Sequence, residues 1–172
     1  MLRYVDVHLS TLEVPDEISL CIYISGCLNH CRDCHSPELQ RINYGDLLSE
    51  NISDLVELYL SQITCVCFLG EGKNSQEERN ELIRYSDYAQ KKGLRTCLYS
   101  GRDTYIEEWM KTFDYIKTGA FDIKRGGLTE KSTNQAMFQK SGGELYKHNK
   151  QVLAGIFFIC DHRSVAGFYV VG

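Results

Sequence analysis

The chain has 172 residues, of which 23 are acidic and 19 are basic, giving a net charge of −4. A chain of this length fits one domain and buries roughly 70% of the surface that its unfolded form exposes, so an ordinary core is expected. Neither charge sign forms a long run or a basic face with interleaved aromatic residues, and no stretch reaches the ~20 apolar residues of a membrane span, so no nucleic acid or membrane partner is expected.

Eight cysteines are the most unusual feature of the composition. The N-terminal residues lack the apolar segment of a signal peptide, so a cytoplasmic location is expected, where cysteines serve metal or redox chemistry more often than disulfides. Five lie inside apolar runs, where a free cysteine usually packs as a small hydrophobic residue. These are Cys21, Cys65, Cys67, Cys97 and Cys160.

The other three cysteines lie in one loop, directly after a buried strand predicted at residues 19–25. Cys27, Cys31 and Cys34 have the spacing C-x3-C-x2-C. A 4Fe-4S cubane is normally held by four thiolates, so a loop with three leaves one iron free to take a small-molecule ligand. An open coordination position is typical of a catalytic metal site rather than a structural one.

The predicted elements after the cysteine loop alternate between helix and strand. In chain order they are a helix from Ser36, an amphipathic helix through residues 52–60, a strand at 64–69, a helix from the capping box of Ser75 and Glu78 to Gly93, a strand at 94–99, a helix from a capping box of Thr104 and Glu107, and a strand at 115–118. After Gly127 the pattern weakens, and residues 152–160 and 168–171 alone are strand-like.

This alternation predicts an α/β fold with βαβ units and a mostly parallel sheet. Chemistry in such folds gathers at the carboxyl ends of the strands. Three glycine-containing loops follow predicted strands, at residues 26–35, 70–74 and 100–103. We therefore expect these loops to meet, with the cysteines among them.

Zinc is the main alternative occupant of the cysteine loop. Cys27, Cys31 and Cys34 would then be joined by His30, His35 or a distant cysteine. Zinc sites commonly contain two short ligand pairs, and a second pair is absent here. The two histidines are interpreted either as residues that tune a cluster by hydrogen bonding or as solvated loop residues.

The run of residues 24–36, ISGCLNHCRDCHS, resembles the signature of radical S-adenosylmethionine (SAM) enzymes. Within that superfamily the chain is most similar to the activating proteins of anaerobic ribonucleoside-triphosphate reductases. Residues 1–6, 113–119 and 132–135 strengthen this narrower resemblance, which covers residues 1–146 approximately.

The resemblance implies a partial β/α barrel of radical SAM type, as a single domain over residues 1–172 with a poorly defined segment at 128–172. It further implies a 4Fe-4S cluster on Cys27, Cys31 and Cys34, whose free iron would chelate SAM. The implied SAM contacts are Arg32, Asp33, Cys34, Gly70, Glu71 and Gly72. No catalytic residue is expected beyond the cluster and SAM.

The implied activity is reductive cleavage of SAM to methionine and a 5'-deoxyadenosyl radical, which takes a hydrogen atom from a glycine of the reductase. The implied partners are the glycyl radical subunit of anaerobic ribonucleoside-triphosphate reductase and an electron donor such as flavodoxin. Two other functions stay open: a small radical SAM synthase acting on a purine-like molecule, and a zinc-stabilised binding module.

Two segments depart from the pattern of the family that the chain resembles. That family usually has two glycines and then an acid after the second strand, whereas this chain reads Gly70-Glu71-Gly72, with the acid displaced by one. The flanking glycines still permit close backbone approach. The second departure is an apolar tail from Lys147 to Gly172. If the tail forms strands, they would close the sheet edge or make a dimer contact, and if it does not, it is an aggregation hazard.

Overall fold

The computed structural model describes residues 1–148, and these form an α/β fold on a single eight-stranded sheet. The strands are β1 (Arg3–Ser10), β2 (Ser19–Ile24), β3 (Asp46–Leu47), β4 (Cys65–Leu69), β5 (Arg95–Tyr99), β6 (Tyr115–Thr118), β7 (Ala136–Ser141) and β8 (Glu144–Lys147). The helices are α1 (Leu48–Tyr59) and α2 (Gln76–Lys91), with short 3-10 helices at Pro37–Gln40 and Glu108–Thr112. The strand-like runs at 152–160 and 168–171 lie outside the described residues.

The sheet is mixed, which corrects the prediction of a mostly parallel sheet. Its order is β3-β1-β2-β4-β5-β6-β7-β8, and the parallel pairs are the central β2–β4, β4–β5 and β5–β6. The outer pairs on both sides are antiparallel. Parallel pairing needs a long crossover, whereas β7 and β8 are joined by a tight turn at Gly142 and Gly143, which both have positive φ.

The described strands form an open ladder from β3 at one edge to β8 at the other, and the expected partial barrel stays a prediction. Within residues 1–148, no helix is both long enough and apolar enough to cross a membrane.

The two faces of the sheet are buried in different ways. Helices α1 and α2 cover one face and share a core with its aliphatic and aromatic side chains, including Ile22, Phe68 and Ile116. The opposite face is packed with small and aromatic residues, among them Cys67 and Tyr115. The connection between β1 and β2, residues 11–18, lies over this second face, and we call it the strap.

Named contacts hold the strap in place. Val14 is fully buried in the second core. The Tyr99 hydroxyl donates to the Glu13 carbonyl, and the Tyr115 hydroxyl donates to Glu17 Oε1 at 2.9 Å. Cys21, Cys65, Cys67 and Cys97 are fully buried beneath or beside the strap, so their prediction as small hydrophobic residues is confirmed, and Cys160 lies outside the described residues.

Helix α2 begins and ends as its sequence predicts. Ser75 Oγ accepts from the Glu78 backbone N–H, and the Glu78 carboxylate accepts from the Ser75 backbone N–H. Gly93 follows the helix with a φ of +82°. The prediction of a helix from Thr104 is wrong, because only the 3-10 turn Glu108–Thr112 forms. The Glu107 carboxylate pairs with Arg79 and Arg102 and does not cap a helix. The helix predicted from Ser36 is likewise a four-residue 3-10 turn.

Candidate metal centre

The cysteine loop begins at the carboxyl end of β2, and several of its residues have left-handed backbone conformation. Gly26, His30 and Asp33 have φ values of +89°, +45° and +58°. Histidine and aspartate tolerate this region better than most residues, although at a cost of roughly 1–2 kcal/mol each. The Cys27 backbone N–H donates to the Leu39 carbonyl at 2.8 Å, which fixes the start of the loop.

The three thiols of this loop differ from the other described cysteines in exposure. Cys27, Cys31 and Cys34 are partly exposed, whereas the four cysteines of the sheet are buried. Thiols at the surface are accessible to an incoming cluster, and thiols in the core are not. The structure therefore presents three candidate ligands in one place.

Three strand-end loops meet at this place, as predicted. A Cβ added to Gly26 would lie 3.6 Å from the Gly72 carbonyl carbon, so the loops after β2 and β4 are in contact. A Cβ on Gly101 would collide with the Asn29 side chain, so the loop after β5 also reaches the cysteine loop. The rings of His35 and Phe121, 4.3 Å apart, bring in the chain after β6.

The surroundings of Cys27 raise the pKa of its thiol. Burial raises the pKa of Cys27, a backbone hydrogen bond at Asn29 lowers it, and the neighbouring Cys31 and Cys34 raise it again. Thiolates this close repel one another unless cations lie among them. Iron–sulfur clusters and zinc both suit soft thiolate ligands.

A single metal ion and a cluster need different arrangements of their ligands. Among residues 1–148, no set of three His, Cys, Asp or Glu side chains is arranged so that it could hold one metal ion. A zinc site needs its ligands around one point. In a cubane each cysteine binds its own iron, so the thiols need not converge.

The residues expected to contact SAM lie in two different environments. Arg32 and Asp33 are exposed on the cysteine loop, where Arg32 Nε lies 3.6 Å from Asp33 Oδ2 and 91% of the Arg32 side chain is exposed. Glu71, by contrast, is buried, and its two oxygens lie 2.8 Å and 3.4 Å from the Arg102 guanidinium. Gly70 and Gly72 beside it have positive φ, and a Cβ on Gly70 would lie 3.1 Å from the Ile24 carbonyl oxygen.

Arg102 and Glu107 extend this ion pair into a network that the sequence did not predict. Arg102 Nη2 lies 2.6 Å from Glu107 Oε1, and Arg79 Nη1 lies 3.1 Å from Glu107 Oε2. Burial lowers the pKa of Arg102, but its hydrogen bonds and attraction to Glu71 and Glu107 outweigh this and raise it. The network ties the loops after β4 and β5 together.

The two histidines of the loop are exposed, in keeping with their interpretation as solvated residues. His30 Nδ1 lies 3.4 Å from Gln40 Oε1, and His35 packs on Phe121. One further residue at the end of a neighbouring strand, Lys117 of β6, was not predicted as part of the site. Its signal in the sequence is a lysine two positions after Tyr115 in an otherwise buried strand.

Three partly exposed cysteines on one strand-end loop are a ligand set of the kind found in iron–sulfur proteins. The family model described as 4Fe-4S single cluster domain matches residues 18–121, which is more than half of the chain and runs from the start of β2 past the end of β6. The chain belongs to this family. No curated protein and no solved structure matches it.

Proposed function

We propose that this chain is a radical SAM activase with a 4Fe-4S cluster and SAM as its cofactors. The observation that carries the proposal is the count of accessible thiols. Within residues 1–148, Cys27, Cys31 and Cys34 are the cysteines that reach the surface, and the remaining ones are fully buried in the sheet. The described residues thus offer three thiolate ligands and leave one iron of a cubane open.

The chain's own residues would bind and orient the cofactors. The three cysteines would hold the cluster, and the glycines at positions 70 and 72 would let the backbone approach SAM closely. When bound and reduced, the cluster supplies one electron to the SAM sulfonium, which yields methionine and a 5'-deoxyadenosyl radical. Arg102 would hold Glu71 in a fixed orientation beside this site.

Exposed apolar side chains near the site support a protein as substrate. Leu28, Tyr105 and Ile123 are 53%, 94% and 58% exposed, and they lie on the loops after β2, β5 and β6. Such residues suit the centre of a protein interface. We propose that the glycyl radical subunit of anaerobic ribonucleoside-triphosphate reductase docks here and loses a hydrogen atom from a glycine. The reaction would occur in the cytoplasm with a donor such as flavodoxin.

Anaerobic reconstitution tests the proposal. The wild-type chain should bind about four iron and four sulfide and, with dithionite, convert SAM to 5'-deoxyadenosine. Cys31→Ala should lose this product, whereas Cys97→Ala, which removes a buried thiol, should retain it. Wild-type protein that holds a cluster but forms no 5'-deoxyadenosine would refute the radical SAM activity.

The protein substrate needs a separate measurement. Incubation of the reduced, SAM-loaded chain with the reductase should produce the electron paramagnetic resonance signal of a glycyl radical. SAM cleavage without that signal would point instead to a small-molecule substrate such as a purine precursor. One zinc per chain and no sulfide would identify a binding module.

A further inference from the structure

A row of side chains crosses the sheet directly beneath the strand-end loops. The register aligns residues from β2, β4, β5, β6 and β7, on the face opposite α1 and α2: Tyr23, Leu69, Tyr99, Lys117 and Met137. Four of these side chains are apolar or aromatic. Lys117 alone in the row carries a charge.

The next row on the same face contains Cys21, Cys67, Cys97 and Tyr115, and it is fully packed. The upper row is therefore the last row on this face before the loops that follow β2, β4 and β5. Lys117 therefore places a cation in the row nearest the ends of the parallel strands, where those loops begin.

In the described part of the chain, Lys117 is surrounded by an aromatic ring, thiols and the Glu13 carboxylate. Its Nζ lies 4.6 Å from the centre of the Tyr99 ring, a cation–π distance. Among residues 1–148 the structure shows neither an ion pair nor a side-chain hydrogen bond for this group. Burial lowers the pKa of Lys117. Electrostatic interaction with Glu13, Cys67 and Cys97, and with Cys31 in the cysteine loop, acts in the opposite direction.

We propose that Lys117 is the counter-charge of the metal centre: its ammonium group stabilises the negative charge of the bound cluster and raises the cluster's reduction potential. Because this role rests on the 4Fe-4S cluster of the proposed function, it concerns the same site but not the cleavage of SAM. The net charge around a cluster is one of the factors that set its potential. A partly buried cation shifts the reduction potential more strongly than an exposed cation, because solvent screens the charge of a buried group less.

Reduction adds one electron, and so one negative charge, to the cluster. A nearby ammonium group favours the reduced state more than the oxidised state. Removing that positive charge should therefore make the cluster harder to reduce, with no change in its iron and sulfide content.

A redox titration of the reconstituted protein without SAM tests this role. Lys117→Met keeps an unbranched side chain of nearly the same length and removes its charge, and Lys117→Arg keeps the charge. Lys91→Met is the matched control, because Lys91 is exposed at the end of α2, at the opposite end of the parallel strands. Dithionite and low-potential viologens would set the potential, and electron paramagnetic resonance would measure the reduced fraction.

The ratio of reduced to oxidised cluster at a fixed potential should fall about tenfold in Lys117→Met, which for a one-electron couple is about 59 mV. It should change little in Lys117→Arg and Lys91→Met. Equal potentials in Lys117→Met and wild type would overturn the role, and so would an equal shift in Lys117→Arg.

The remaining outcomes also decide the matter. If Lys117→Met fails to retain iron and sulfide while Lys117→Arg retains them, the positive charge is required at this position. If both lose the cluster, Lys117 is a structural residue and the role is refuted. Because the titration omits SAM, a chain whose potential responds as expected but which forms no 5'-deoxyadenosine would refute the proposed activity alone.

Discussion

Glu71, in the loop after β4, forms a buried ion pair with Arg102. In the sequence this acid is displaced by one position from the place where the resembled family has it, which left its role open. In the structure both its oxygens contact Arg102, and 5% of the Glu71 side chain is exposed against 27% for Arg102. Because Arg102 binds both oxygens of this carboxylate, Glu71 joins the loops after β4 and β5.

Removal of Arg102 should therefore destabilise the chain strongly. Arg102→Met leaves the buried Glu71 carboxylate without its main partner, and we expect a loss of about 2–3 kcal/mol, below the full cost for a wholly buried pair because Arg102 is partly exposed. Urea unfolding followed by circular dichroism measures this.

Arg32→Met is the control for that measurement, since 91% of the Arg32 side chain is exposed. It should change the free energy of unfolding by less than about 0.5 kcal/mol. Adding Glu71→Gln to Arg102→Met should recover part of the loss. A loss of the same size in Arg32→Met and Arg102→Met would contradict the burial argument.

Glu107 makes part of the stability dependent on pH. Burial raises the pKa of its carboxyl, but hydrogen bonds from Arg102 and Trp109 outweigh this and hold the pKa below its ordinary value. A carboxyl with a lowered pKa stabilises the fold above the pKa of the unfolded chain, which is about 4.3 for glutamate. That contribution is lost as the pH falls through the lowered, folded-state value.

The free energy of unfolding should accordingly fall less steeply between about pH 5 and pH 3 in Glu107→Gln than in wild type. Glu108→Gln is the neighbouring control, because 88% of that side chain is exposed. Chemical denaturation at a series of pH values measures both variants. Parallel curves for Glu107→Gln and wild type would show that the network carries no such linkage.

At the scale of elements, the predicted pieces that formed are those with strong local signals. Strands β2, β4, β5 and β6 are buried apolar runs, and helix α2 has a complete capping box. Strand β1 was not predicted because its side chains are only partly buried and include Arg3, Asp6 and His8. A strand next to the sheet edge buries little, so its sequence lacks a clear alternation.

The two capping boxes predicted from the sequence, at Ser75 and Thr104, can be compared by removing the hydroxyl of each. Ser75→Ala should destabilise the chain by about 1 kcal/mol, because it removes an acceptor for the Glu78 backbone N–H. Thr104→Ala should cost less than about 0.5 kcal/mol, because the Thr104 hydroxyl donates to the Tyr105 carbonyl and caps no helix. Thermal unfolding would separate the two, and equal losses would contradict the difference in their structures.

At the scale of the whole molecule, the sequence was sufficient to predict that the three strand-end loops meet but not the charges around them. The convergence of the three loops follows from parallel strands that local patterns identify. The Glu71–Arg102–Glu107 network and the place of Lys117 depend on register and on contacts between loops distant in the chain. The outer strands β3, β7 and β8 were not predicted, because their sequences carry weak local signals and their pairing depends on register.

The central claim is that three thiolates hold a 4Fe-4S cluster and leave one iron open to SAM. Electron paramagnetic resonance of the reduced, reconstituted chain with and without SAM tests it most directly. A ligand that binds the open iron should change the g values of the cluster signal, and Cys31→Ala should abolish that signal. A spectrum that SAM leaves unchanged, from a cluster with full iron and sulfide content, would contradict the account.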